Sequence, residues 1–95
     1  MNKNVQLGGD GNYYEEITRD EAKSLYKDYE LVICCASNEV PYNSAGRYSE
    51  LTRRCGEEDY RPLVEGVDDF DRMVSSIEKW YYKCPVRFWK ESKNK

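Results

Sequence analysis

Phe70, Met73, Val74, Ile77, Trp80 and Tyr81 recur at three- and four-residue steps, the spacing of one apolar helix face. The spacing predicts a long helix over 70–81. Asp68 or Asp69 can cap its start, and Asp71 adds negative charge where the helix dipole favours it. Pro85 disfavours helical geometry at Cys84 and stops the helix there. Val86, Arg87, Phe88, Trp89 and Lys90 then read as a short strand. Residues 30–36 have no polar face beyond Glu30, so they read as a central strand covered on both sides.

Earlier in the chain the pattern is weaker. Residues 13–17 alternate loosely and suit an edge strand. Thr18 and Glu21 have the spacing of a capping box, opening a short helix with Ala22, Leu25, Tyr26 and Tyr29 inward. Residues 37–46 carry turn chemistry throughout, and Asn38, Tyr42 and Asn43 are candidate contacts on that loop. Tyr48, Leu51 and Cys55 share one face if 47–55 is a short helix ended by Gly56, and Pro62 marks 60–64 as an edge strand. The expected fold is α+β: a small, mainly antiparallel sheet of three to four strands packed against one long C-terminal helix and one or two short helices. Residues 1–12, with Gly8, Gly9 and Gly11, read as a flexible arm, 13–91 as the single domain and 92–95 as a basic tail. A phosphate-cradling role for the glycines needs a helix start after them, and a strand follows instead.

Composition limits the chemistry. The 95 residues contain no His, which removes the commonest general base and the usual partner of a Ser or Cys nucleophile. The carboxylates are consecutive or capping, unlike a pair set across a cleft. The expectation is a non-enzyme. Cys34, Cys35, Cys55 and Cys84 form no CxxC pair, so neither a metal nor any other cofactor is implied. Cys34 and Cys35 read as small core residues. No apolar run approaches a membrane span and no signal-peptide core follows Met1, so a cytoplasmic protein with reduced thiols is expected. Nine Tyr among 95 residues also fit a binding surface, or a homodimer pairing through exposed rings.

The net charge of −3 is unevenly placed. Glu57, Glu58, Asp59, Glu65, Asp68, Asp69 and Asp71 face a single Arg61 over 57–71. That run reads as a solvated loop with a helix start, or as a surface that replaces nucleic-acid phosphates in a basic groove, since Arg and Lys bind both groups by charge-assisted hydrogen bonds. The end of the chain is basic: Lys79, Lys83, Arg87, Lys90, Lys93 and Lys95 against Glu91. Interleaved with Trp80, Tyr82 and Trp89, these lysines offer an alternative, a small accessory protein that binds single-stranded nucleic acid. The competing reading places Trp80 and Trp89 in the core.

The segment Tyr14-Glu15-Glu16-Ile17-Thr18-Arg19-Asp20-Glu21-Ala22-Lys23-Ser24-Leu25-Tyr26 resembles the opening of a loose group of small proteins from phages and mobile elements of Gram-positive bacteria. Phe70-Asp71, Trp80-Tyr81-Tyr82-Lys83-Cys84 and Arg87-Phe88-Trp89 are similar to that group's late helix and aromatic strand. The resemblance covers about half of the chain, mostly cap and core residues. By analogy of size, charge and origin with small acidic phage inhibitors, it implies an anti-CRISPR or other anti-defence protein in a bacterial host cell. The partner would then be a Cas effector nuclease. The contact set expected from the residues is Glu57, Glu58, Asp59, Glu65, Asp68 and Asp69, with Asn38 and Tyr42 as a second edge.

Overall fold

The computed structural model describes residues 4–54, 60–62 and 70–92. The last strand of the chain lies at the centre of the main sheet. Strands β1 (Val5–Leu7), β2 (Tyr13–Ile17), β3 (Ile33–Ala36), β4 (Tyr48–Glu50) and β7 (Val86–Glu91) pair antiparallel in the order β1-β2-β7-β3-β4. Strands β5 (Thr52–Arg54) and β6 (Tyr60–Pro62) form a separate antiparallel ribbon. Trp89 sits opposite Glu16 of β2 on one side and Ile33 of β3 on the other. The α+β class stands, with five strands in the main sheet where three to four are expected.

Side chains alternate across this sheet, which gives the domain two cores. Cys34 and Phe88 face the helices, joining Ile17, Val32, Leu51 and the apolar stripe of the second helix. Ile33, Cys35 and Trp89 point the other way, with Tyr14, and Leu31, Tyr42 and Tyr48 pack against them. The expected two-sided strand at 30–36 is therefore found, with Val32 through Cys35 fully buried.

Helix α1 (Arg19–Lys27) starts where the sequence places it. The Thr18 hydroxyl accepts from the Glu21 backbone N–H at 3.1 Å. The Glu21 carboxylate accepts from Lys90 Nζ at 3.0 Å, tying the helix to β7. Tyr29 adopts a left-handed φ of 59°, and the Glu30 N–H donates back to the Leu25 carbonyl at 2.9 Å, the closing bond of a Schellman-type end. Tyr29 is thereby turned out to solvent and leaves the inner stripe to Ala22, Leu25 and Tyr26.

Four expectations are corrected. The long helix over 70–81 is an eight-residue α-helix, α2 (Phe70–Ile77), followed by a π-helical turn over Glu78–Tyr82. The Lys83 N–H donates to the Glu78 carbonyl five residues back, and this wider turn breaks the phase of the apolar stripe. Trp80, expected inside, is 75% exposed. Second, 47–55 holds strands β4 and β5 in place of a helix. Leu51 sits fully buried at the bend between them, so the three-residue apolar spacing belongs to a strand corner. Buried Thr52 fixes that corner: its hydroxyl accepts from the Val32 N–H at 3.1 Å and donates to the Glu30 carbonyl. Third, Tyr13–Ile17 is an inner strand, because, fourth, Val5–Leu7 of the expected arm is the edge strand beside it.

The glycines of that arm form the β1–β2 turn and dock it on the 37–46 loop. The Gly8 N–H donates to the Asn12 carbonyl at 2.7 Å, and the Gly9 N–H to the Pro41 carbonyl at 2.9 Å. A Cβ on Gly9 would fall within the Tyr42 carbonyl group, 2.7 Å from its carbon, which is rigid backbone. Gly9→Ala is expected to lower stability by about 1–3 kcal/mol, read as a lower urea midpoint. An unchanged midpoint would mean that the turn is not seated on the loop.

Candidate functional site

Of the expected contact residues, Asn38 and Tyr42 are among those described. Glu57, Glu58, Asp59, Glu65, Asp68 and Asp69 lie outside the described residues. Asp71, the last acid of the run, is exposed and engaged by the chain itself. Lys23 Nζ lies 2.9 Å and Arg19 Nη2 3.2 Å from its carboxylate oxygens. The hydrogen bond from Lys23 and then that from Arg19 hold its carboxyl below the usual range. This pairing joins the start of α2 to α1, a role the helix dipole alone does not give.

The loop over 37–46 is braced from within. Asn43 Nδ2 donates to the Val40 carbonyl at 2.8 Å, and its Oδ1 accepts from the Arg47 N–H at 2.9 Å. Tyr42 has a left-handed φ of 57°, and its hydroxyl donates to Glu50 Oε2 at 2.8 Å. Its ring lies 5.8 Å from that of Tyr14 and 5.0 Å from that of Tyr48. Tyr14 in turn donates to Asp10 Oδ2 at 2.7 Å. Burial, then the bond to Glu50, raises the Tyr42 phenol well above its ordinary value, and burial with Asp10 does the same to Tyr14. Tyr42 thus holds the loop on the sheet, while Asn38 stays exposed.

The basic end is largely taken up by the fold. Trp89 is buried, Lys90 pairs with Glu21, and Arg87 Nη1 lies 3.7 Å from Glu16 Oε1. The hydrogen bond that Lys90 donates to Glu21 raises its ammonium above the usual value. Lys93 and Lys95 lie outside the described residues. Lys79, Trp80 and Lys83 are exposed.

No family model, curated protein or solved structure matches this chain. Its chemistry therefore rests on its own residues. Among the described residues, no helix is long and apolar enough to cross a membrane, and no three His, Cys, Asp or Glu gather as a metal would need.

Cys34 and Cys35 are free and buried, on opposite faces of β3. Burial, aided by the charge of Glu78, pushes the Cys34 thiol up to about 12, and burial raises Cys35 as well. A reactive thiol needs the opposite shift. The folded chain keeps these protons after the unfolded chain, with thiols near 9.0, has lost them. Their contribution to stability is complete below that value and is lost as pH rises through the folded values; the raised phenols of Tyr14 and Tyr42 act with the same sign. The melting temperature is expected to fall steadily above about pH 9. Half-buried Cys84 should be alkylated before either buried thiol. Early labelling of Cys34 or Cys35 in the folded protein would refute this account.

On the helix-free face, a polar cleft of about 300 Å³ opens between β1, β7 and the start of the loop, lined by Asn4, Gln6, Asn38, Glu39, Arg87 and Trp89 among others. Gln6 Nε2 donates to Asn4 Oδ1 at 2.7 Å, and Asn4 Nδ2 donates to Glu16 Oε1 at 2.7 Å. The sequence reading reached Asn38 here and missed Asn4, Gln6 and Glu39. The signal that would have found Asn4 and Gln6 is the pairing of residues 5–7 with 13–15, which brings them onto the same face as Glu16 and Trp89.

Proposed function

We propose that this chain is a non-enzymatic, phage-derived inhibitor that occupies a basic nucleic-acid groove on a bacterial defence nuclease, a Cas effector of the CRISPR type. The carrying observation is the charge run over 57–71, with seven acids against one arginine. Only the last of these, Asp71, is placed by the fold, where its charge is offset by Lys23 and Arg19. Glu57, Glu58, Asp59, Glu65, Asp68 and Asp69 are the residues assigned to stand in for phosphates. Exposed Trp80 supplies an apolar anchor, since interface energy concentrates on residues of this type.

The nucleic-acid alternative loses three of its groups: Trp89 is in the core, and Lys90 and Arg87 face carboxylates of the chain. Trp80 with Lys79 and Lys83 is what remains of it among the described residues.

The test is inhibition of target nuclease activity, with wild type compared against a variant carrying Glu57→Lys, Glu58→Lys and Asp59→Lys. Inhibition should vanish while the circular dichroism spectrum and melting temperature are kept. Wild-type binding should also weaken between 0.1 M and 1 M salt, where the screening length falls from about 10 Å to about 3 Å. Full inhibition by the reversed variant would overturn the proposal.

A further inference from the structure

The cleft on the helix-free face carries an inference independent of the acidic run. Trp89 is 1% exposed, and its indole Nε1 is the buried side-chain donor without a hydrogen-bond partner among the described residues. An N–H in that state has given up its bond to water with nothing in exchange, so an acceptor that reaches it has a ready driving force. The surrounding amides do not supply one. Asn4 and Gln6 are joined in a relay that ends on Glu16, the carboxylate that Arg87 also faces.

Charge then selects the occupant. Glu16, beside the lining, lies 3.7 Å from Arg87 and offsets it, so Glu39 is the lining charge left over among the described residues. An anion would meet that surplus, and a cation would bring the indole another donor where it needs an acceptor. A neutral carbonyl fits both conditions. Nε1 is closed to solvent, and Trp89 shares the cleft lining with residues 37–40. One backbone bond within that stretch, from the Glu39 N–H to the Ala36 carbonyl at 2.9 Å, holds the turn.

We propose that this cleft is a carboxamide-binding site. The occupant's C=O accepts from Trp89 Nε1 as residues 37–40 yield, and its N–H groups face the oxygens of Gln6 and Glu39. The same chemistry is offered by a polypeptide, through its backbone or Asn and Gln side chains, and by a small free carboxamide.

The indole N–H resonance of Trp89 reads this directly. Trp80→Phe removes the other indole at an exposed position, where substitutions disturb the fold little. That variant is titrated with acetamide, an Asn- and Gln-rich tetrapeptide, acetate and guanidinium. Acetamide and the peptide should move the Trp89 signal downfield to saturation, and the two ions should not. Saturation at a lower concentration of peptide than of acetamide assigns a polypeptide occupant; the reverse assigns a small carboxamide. Gln6→Ala, at an exposed lining position whose oxygen faces the occupant, should raise the concentration required by about 2- to 10-fold, the equivalent of one hydrogen bond. An indole signal that moves with no amide, or equally with acetate, overturns the proposal.

Discussion

Replacing Trp89 with alanine is expected to destabilise the domain by about 3–5 kcal/mol. The residue lies in the central strand of the main sheet, paired with neighbours on both sides, so its side chain cannot swing out without moving β2 or β3. It packs with Tyr14, Ile33 and Cys35 on the face that neither α1 nor α2 covers. What closes over that face is the 37–46 loop, and Tyr42 and Asn43 hold the loop in place. The hole left by the indole therefore refills poorly, which puts the cost toward the upper end of the range. Against the roughly 5–14 kcal/mol typical of a chain this long, the variant should sit near its unfolding threshold at room temperature. Urea unfolding measures it, as a large fall in midpoint with little change in slope. Trp89→Phe separates the ring from the indole donor. It should retain most of the stability, because it removes an N–H that has no partner along with only part of the ring. A Trp89→Ala variant within 1 kcal/mol of wild type would mean that the helix-free face is not a core.

The elements legible in the sequence are those whose determinants are local. The Thr18 cap sits within one turn of the amide it accepts from, and 30–36 announces two-sided burial by composition alone. Strands β1, β4 and β5 are three residues each, too short for an alternation to show, and only their pairing with another strand defines them. Leu51 illustrates the ambiguity: with Tyr48 it has helical spacing, yet Tyr48 opens β4 and Leu51 is the bend that ends it. Trp80 fails for another reason. Its spacing fits the α2 stripe until the turn widens at Glu78, and a π-helical turn has no simple apolar signature. The site divides the same way. Asn38 is visible as a polar loop residue, whereas Asn4, Gln6 and Arg87 come from opposite ends of the chain and meet through β-sheet register.

Phe70→Ala is the counterpart on the helix-covered face and is expected to cost about 3–5 kcal/mol. Phe70 opens α2 at 1% exposure and touches aromatic rings from two other elements. Its centroid is 5.5 Å from Tyr26 of α1, edge-on, and 5.8 Å from Phe88 of β7. One side chain thus joins both helices to the central strand. A second link at the same end of α2 is the exposed contact of Asp71 with Arg19 and Lys23, and exposed pairs of that kind contribute little. Removing Phe70 should loosen the start of α2 before the sheet gives way, so amide exchange should rise first in α2 and the facing part of α1. A double-mutant cycle with Tyr26→Leu should return a coupling of about 0.5–1.5 kcal/mol for the edge-on pair. With Trp89→Ala, which acts on the other face of the sheet, the losses should add to within about 0.5 kcal/mol. Strong coupling between Phe70 and Trp89 would show that the two cores are one unit and would refute a sheet that separates them.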